Sequence, residues 1–292
     1  MTNAIQVLIL GITLGGVFAL MASGLTLIFG VMRIVNLAHP IMIIWGAFVA
    51  YWLFKLYGVD PIISMPIAAA FMFVVGLVLY KVVYAKEAAS AKYSEMTVLL
   101  TFAVALVLDG AASTAFSNTQ RVTSPFYATD AFIFGPIFIP TAQLYAGIVS
   151  IILIGGLFIF LQFTRTGYAI RATTQNRTAA GLLGVNVAFI SLLTFAMGSA
   201  LAGASGALVS FVFSFYPAKH WEWIAVLMSL VVLGGMGKLH GTIIGAFVLS
   251  IIAAFVGTYA GATWSTITFF LALFVILLVR PQGLFGDPIE GS

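Results

Sequence analysis

The chain is dominated by apolar runs long enough to cross a lipid bilayer as helices. A hydrocarbon core of roughly 30 Å takes about 20 apolar residues in helical form. Only 7% of the 292 residues are charged, against about 25% in ordinary soluble domains. The sequence therefore predicts an all-α polytopic membrane protein with about nine spans and a range of eight to ten. The nine cover residues 6–30, 37–56, 61–83, 96–117, 141–163, 187–213, 222–237, 241–259 and 262–279.

The segments between these runs are short. The longest, 118–140 and 164–186, are too small to bury a hydrophobic core of their own. We predict a single transmembrane domain over residues 1–292, with no soluble domain and with a polar loop at 165–186 on one face. The apolar stretch 132–139 is expected to re-enter the membrane or to lie at its surface.

The distribution of basic residues predicts an orientation. If the loop 165–186 is cytoplasmic, the positive-inside rule is satisfied by nine basic residues inside and three outside. The inside set is Arg33, Lys81, Lys86, Lys92, Arg165, Arg171, Arg177, Lys238 and Arg280, and the outside set is Lys55, Arg121 and Lys219. This places the amino terminus outside and the carboxyl terminus in the cytoplasm. Because the basic residues are scattered and form no stripe, nucleic acid is not an expected partner.

The sequence lacks the motifs of a self-sufficient pump or enzyme. The phosphate-binding motif G-x-x-x-x-G-K-[ST] does not occur. The nearest match is the glycine-lysine pair at Lys238, but Val232 occupies the position of the first glycine and Leu239 follows the lysine. Cysteine is absent, and His220 and His240 have no carboxylate or cysteine at ligand spacing, so no metal site is expected. No nucleophile elbow or paired carboxylates indicate a hydrolase. We expect a non-catalytic subunit without a cofactor of its own.

Asp109 is the one acidic residue well inside a predicted span. Its carboxylate is either satisfied within the helix bundle or lies beside a transport path, where it would face a substrate ammonium or gate the path. Under the first interpretation Asp109→Asn leaves transport nearly intact, and under the second it impairs transport. His39, close to Asn36 at the inner end of the first span, fits a structural role at a helix break.

Small residues recur at every fourth position in two spans. They are Gly11, Gly15, Ala19 and Ser23 in the first span and Gly198, Ala202, Gly206 and Ser210 in the sixth. On a helix they form one face, which lets two backbones approach closely in lipid. Tight helix packing is one interpretation, and a face lining an aqueous path is the other. The two spans run in opposite directions, which points to a possible inverted repeat.

The loop 165–186 carries three arginines and no acidic residue. From Tyr168 to Ala180 its residues favour helix, and Gly167 and Gly181 mark the expected ends, followed by a turn at Gly184. This predicts one short amphipathic helix along the inner face. Its apolar side comprises Ile170, Ala179 and Leu182. The helix is either a connector whose arginines meet anionic lipid headgroups or a docking site for a cytoplasmic partner.

Four sequence blocks resemble a known family. They are GITLGGVFALMASGLTLIFGVMRIVNLAHP, GYAIRATTQNRTAAGLLGVN, VLGGMGKLHGTIIGAF and RPQGLFG, in this order along almost the whole chain. Together they are similar to the LivH-type permeases of branched-chain amino acid ABC importers. The family commonly reads Ala-His-Gly where this chain has Ala38, His39 and Pro40. Because proline disfavours helical geometry in the residue before it, we expect His39 to be extended.

The resemblance implies a permease subunit of the bacterial inner membrane that works by alternating access. Its partners would be a second, LivM-like permease, two cytoplasmic subunits that bind ATP and Mg²⁺, and a periplasmic protein that delivers leucine, isoleucine or valine. The loop would couple to the ATPases through Arg171, Asn176, Ala180 and Gly184. Candidates for the substrate path are Thr13, Ser23, Thr26, Asp109, Ser113, Ser199 and Ser205. The alternative is an autonomous ion-coupled carrier or channel for small solutes in which Asp109 titrates.

Overall fold

The computed structural model describes residues 2–85, 93–135 and 137–286, which form α-helices and one β-hairpin. The helices are α1 (Thr2–Met32), α2 (His39–Tyr57), α3 (Pro61–Leu79), α4 (Tyr93–Phe116), α5 (Thr141–Phe163), α6 (Arg165–Gln175), α7 (Arg177–Leu182), α8 (Val187–Val212), α9 (His220–Gly234), α10 (Leu239–Tyr259) and α11 (Ala262–Val279). The strands are β1 (Ala131–Phe134) and β2 (Ile137–Pro140). A π-helical turn, Tyr80–Tyr84, extends α3, and 3₁₀ turns lie at Phe126–Ala128 and Pro217–Lys219.

Eight helices in the described part of the chain are long and apolar enough to span a membrane. They match every predicted span except 222–237, which is α9 and has 15 residues. At 1.5 Å per residue a helix of this length reaches roughly 22 Å, which is shorter than a hydrocarbon core. The segment 213–219, which includes the 3₁₀ turn Pro217–Lys219, precedes α9. The described residues therefore contain eight helices of spanning length, and the seventh predicted span is a shorter helix.

The direction of each pass follows from contacts between distant residues. Thr26 of α1 bonds to Thr242 of α10, and Phe18 of α1 packs on Phe213 just after α8, so α8 and α10 both run antiparallel to α1. We call the end of the bundle that carries residues 165–186 the loop end. Helix α1 ends there, and so do the last described residues, because the Leu284 amide donates to the carbonyl of Leu233 at the end of α9. The start of α1 lies at the opposite end.

This relative placement of the termini agrees with the predicted topology. The predicted outside residues Lys55 and Arg121 lie at the opposite end, after α2 and α4 have crossed the bundle. Lys86 and Lys92, from the predicted inside set, lie outside the described residues.

Two three-helix units, α1–α3 and α8–α10, have the same order and run in opposite directions. The first helix of each unit packs on the third helix of the other, so α1 contacts α10 and α8 contacts α3. Helices α2 and α9 hold equivalent positions, since each begins with a histidine after an irregular segment, 33–38 or 213–219. These correspondences support the inverted repeat that the small-residue pattern suggests.

Glycines allow the long helices to touch. The four glycines singled out in the sequence each face another helix so closely that a methyl group would clash: Gly11 faces Ile251, Gly15 faces Phe247, Gly198 faces Ile28, and Gly206 faces Ile43. A Cβ atom on Gly11 would lie 2.7 Å from the Cα of Ile251. Backbones at this separation gain dispersion contacts that lipid cannot supply.

Residues 132–135 and 137–139 lie within the β-hairpin. Strand β1 pairs antiparallel with β2, with Phe132 opposite Ile139. Ile133 and Phe134 are 70% and 65% exposed, so the hairpin lies at the surface of the bundle. Whether this stretch enters the membrane or lies at the membrane surface stays a prediction.

A buried tyrosine anchors the connection between α4 and the hairpin. The Tyr127 hydroxyl donates to Asp60 Oδ1 at 3.1 Å, and the same oxygen accepts from the Ile62 amide at 2.8 Å and so caps α3. Burial and the Asp60 carboxylate raise the pKa of the Tyr127 phenol far above its ordinary value. The tyrosine therefore stays neutral and keeps its proton in the bond to Asp60.

Candidate functional site

The polar loop forms two short helices, α6 and α7, where the sequence predicts one. Thr164 caps α6, with its hydroxyl accepting from the Gly167 amide at 2.9 Å. Asn176 interrupts the helix with an extended backbone, φ −154° and ψ 105°. Its Oδ1 atom accepts from the Ala179 amide at 2.9 Å, so it caps α7. The prediction of a continuous helix is wrong at Asn176, because asparagine competes for backbone donors and favours a helix start.

The end of the loop also differs in part from the prediction. Gly181 lies inside α7 and does not end it, whereas Gly184 has a φ of 88° and forms the predicted turn. Glycine suits this turn because other residues rarely adopt a positive φ.

The predicted docking residues have unequal access to a partner. Asn176 and Gly184 are exposed, but Ala180 is only 2% exposed. The guanidinium of Arg171 is held within the chain, since Nη1 donates to Gln162 Oε1 at 2.7 Å. Arg171 thus links α6 to the end of α5 by a hydrogen bond and also adds a positive charge to the loop end. Whether any of the four residues binds an ATPase stays a prediction.

Two adjacent leucines form the most exposed apolar feature of the loop. Leu182 and Leu183 are each 85% exposed. Leu182, predicted on the same apolar side as Ile170, points away from the bundle, whereas Ile170 is 2% exposed. The break at Asn176 reorients α7 and separates the two side chains. In the sequence, this exposed apolar feature is indicated by two adjacent leucines at the end of a polar loop, directly before Gly184.

A cavity of about 310 Å³ opens beside α6 at the loop end. Its lining includes Arg171, Lys238 and His240, and no acidic residue contributes to it among those described. Thr26, a predicted path residue, also lines it and donates to the Ala22 carbonyl at 2.9 Å. This surface is therefore electropositive and continuous with the loop.

Most other predicted path hydroxyls lie in packed helix interfaces. Ser23, Ser199 and Ser205 are fully buried, and each donates to a carbonyl of its own helix. Thr13 is 8% exposed and makes the same kind of bond to Leu10. Hydroxyls satisfied in this way need no substrate or water as a partner. The structure does not bring this set together around one cavity, and a role in a path stays a prediction.

Asp109 lies next to a histidine of α9. Its Oδ1 atom is 3.9 Å from His220 Nδ1 and 3.5 Å from the Ser113 hydroxyl. The same His220 nitrogen lies 2.8 Å from the Pro217 carbonyl. The carboxylate is 21% exposed and has polar neighbours within the bundle. This arrangement favours the structural interpretation of Asp109.

His39 begins α2 deep inside the bundle. It is the first residue of that helix, so the expectation of extended geometry is wrong. Pro40 is tolerated because the first helical turn does not need its missing amide hydrogen. His39 Nε2 lies 3.0 Å from the Met21 carbonyl of α1, which joins two helices as a structural role requires. Within the described ranges, no three His, Cys, Asp or Glu side chains gather as a metal site would need.

Comparisons with known proteins identify the family. Residues 7–279 match the model of the branched-chain amino acid transport system permease component. The chain is 28% identical to the high-affinity branched-chain amino acid transport permease LivH of Escherichia coli K12, over 95% of this chain and 94% of that protein. It is 26% identical to the permease BraD of Pseudomonas aeruginosa, over 97% and 96%. A probable LivH of Methanocaldococcus jannaschii is 28% identical, over 91% and 88%.

No solved structure matches the chain. The sequence blocks, the multi-pass helical fold and the matched length of 7–279 nevertheless agree with one another. This multi-pass membrane protein belongs to the family of branched-chain amino acid transport permease components.

Proposed function

We propose that this chain is the transmembrane permease subunit of an ATP-driven importer for branched-chain or related hydrophobic amino acids. The observation that carries the proposal is the family match over residues 7–279, together with relatives described as branched-chain amino acid permeases along almost their whole length. A chain that is 62% hydrophobic and has no phosphate-binding loop would draw its energy from separate ATPase subunits.

The loop end is the proposed docking face for two cytoplasmic ATPase subunits. It presents the exposed Leu182–Leu183 pair and also carries the cavity that Arg171 and Lys238 line. Apolar anchors surrounded by charged residues are typical of protein interfaces. With the loop end in the cytoplasm of a bacterial cell, the amino terminus is periplasmic and the carboxyl terminus cytoplasmic.

The remaining partners follow from the same proposal. A second, LivM-like permease would complete the conduit, and a periplasmic binding protein would deliver the substrate to the opposite end. This chain would bind no cofactor, since ATP and Mg²⁺ would be held by the ATPases. The two inverted units α1–α3 and α8–α10 would supply alternating access between the two ends.

Reconstitution tests this function against an autonomous ion-coupled carrier. Proteoliposomes that contain the full complex and the binding protein are expected to accumulate leucine only when ATP is present. Proteoliposomes with this chain alone are expected neither to hydrolyse ATP nor to concentrate leucine. Accumulation by the chain alone, driven by a proton gradient, would show that the carrier interpretation is correct and this proposal wrong.

A further inference from the structure

A second cavity, of about 270 Å³, lies inside the bundle near the opposite end. Small-molecule sites in proteins begin at roughly 300 Å³, so this space suits a small solute. It is enclosed by α1, α9, α10 and α11 together with Phe213. Phe18 lies midway along α1 and Phe269 lies well inside α11, so the cavity is within the length of the helices.

Two opposite charges line this cavity. The Lys219 ammonium lies 2.6 Å from Glu222 Oε2, and the two side chains are 23% and 38% exposed. Lys219 ends the 3₁₀ turn before α9, and Glu222 lies in the first turn of α9. The sequence places Lys219 in an outside loop, so only the fold reveals its position in the cavity. Charges at such positions are costly in a membrane protein and commonly mark a path for a substrate or ion.

An unpartnered hydroxyl faces the same space. Ser250 of α10 lines the cavity and is 3% exposed, and its Oγ atom has no hydrogen-bond partner in the described part of the chain. Buried hydroxyls normally have a hydrogen-bond partner. Ser23, Ser199 and Ser205, for example, each donate to a carbonyl of their own helix. Ser250 therefore contributes a hydroxyl without a hydrogen-bond partner to the lining of the cavity.

The rest of the lining is largely apolar. The rings of Phe213 and Phe269 lie 5.8 and 5.6 Å from that of Phe18, and together they form an aromatic wall on one side. Val226 and Ala253 add aliphatic surface. The cavity thus combines one positive group, one negative group and the hydroxyl residues Ser250, Ser265 and Thr266 with an apolar wall.

From this combination we infer that the cavity is a transport subsite for a free, zwitterionic amino acid with an apolar side chain. The inference rests on the proposed function and adds to it the residues that recognise the substrate. Lys219 donates to the substrate carboxylate, Glu222 accepts from the substrate ammonium, and Ser250 hydrogen-bonds to one of these two groups. The substrate side chain lies against the wall formed by Phe18, Phe213 and Phe269.

The ion pair suits a site that is alternately empty and filled. In the empty cavity each charge neutralises the other, so neither is left unpaired beside the apolar wall. A zwitterion inserted between them replaces one ion pair by two. The net charge of the cavity stays at zero in both states. A solute with a net charge would break this balance, which excludes lysine-like and aspartate-like substrates.

The test compares single and swapped variants in the full complex. Lys219→Met and Glu222→Gln are each expected to lower the initial rate of ATP-driven leucine uptake by about tenfold or more, since each removes a charged hydrogen bond to substrate. Basal ATP hydrolysis and recovery of the partner subunits should stay at wild-type levels. Lys55→Met is the matched control, because Lys55 is an exposed lysine at the same end, outside the cavity.

The swapped variant Lys219→Glu/Glu222→Lys separates recognition from packing. It restores an ion pair but reverses the arrangement that the substrate needs, so uptake should stay low. Recovery of uptake in the swap, or normal uptake in both single variants, would refute the subsite and leave the proposed function standing. Absence of ATP-driven leucine uptake by the wild-type complex would instead refute the proposed function.

Ser250→Ala keeps the test decisive if the charge variants fail to assemble. Alanine removes the hydroxyl and adds no bulk to this buried position. The variant is expected to raise the leucine concentration for half-maximal uptake several-fold. The matched change Ser210→Ala, in α8, removes a hydroxyl that already bonds to Ala207 and should leave this concentration unchanged. Equal values for the two variants would refute the subsite.

Discussion

Removing the exposed leucine pair should detach the ATPases without unfolding the permease. Leu182→Ala/Leu183→Ala deletes three carbon atoms from each side chain. Since both side chains are 85% exposed in the free chain, the double change should lower its unfolding free energy by less than about 0.5 kcal/mol. At roughly 0.8 kcal/mol per buried carbon, full burial against an ATPase makes the pair worth about 4 to 5 kcal/mol of binding free energy.

A loss of this size corresponds to a dissociation constant for the ATPase about 1,000-fold higher. The assay is titration of purified ATPase against the permease in lipid nanodiscs, with thermal unfolding of the free permease measured in parallel. Leu56→Ala is the matched control, because Leu56 is 64% exposed but lies at the opposite end. Its dissociation constant should equal that of the wild type.

An unchanged dissociation constant in the double variant would refute the docking role of the pair. If binding of the permease to anionic vesicles fell instead, the loop would act as a lipid-facing connector. A marked drop in the thermal midpoint would contradict the exposure on which the magnitude rests.

Two further predictions concern the bundle itself. Gly206→Ala should lower the thermal midpoint, because the added methyl group would collide with the Ile43 carbonyl at a cost of about 1 to 3 kcal/mol. The control Gly155→Ala, which has nothing within 4 Å of the added carbon, should not lower it. Equal midpoints for the two variants would contradict the close packing of α2 and α8. Asp109→Asn should keep leucine uptake within about twofold of wild type, because the carboxylate has partners inside the bundle, and a tenfold loss would place Asp109 on the path.

The passes were predictable because each depends on local composition. An apolar run of about 20 residues specifies a membrane helix whatever its neighbours are. The run 222–237 is the shortest of the nine predicted spans, and it forms the 15-residue helix α9. For the small-residue faces around Gly11 and Gly206, close helix packing was one of two interpretations, and the pattern did not show which helices meet.

The site was less predictable because it depends on contacts between distant residues. The helix breaks at Asn176 because its side chain accepts a hydrogen bond from a backbone amide and caps the next helix. Helix propensity alone does not show this preference for a cap over a continuing helix. The position of Lys219 beside Ser250 depends on how the segment 213–219 enters between α1, α10 and α11. Hydropathy alone assigns such a residue to an external loop.

The antiparallel correspondence of α1–α3 with α8–α10 has an energetic consequence. If the two units exchange roles when access switches ends, the two conformations contain equivalent helix contacts and have similar free energies. A nearly balanced pair of states needs little bias. Since about 5.5 kcal/mol of differential binding converts a 1:99 mixture into 99:1, about half of that converts a 1:1 mixture into 99:1. The pseudosymmetry thus lets the binding of partners at either end set which state is populated.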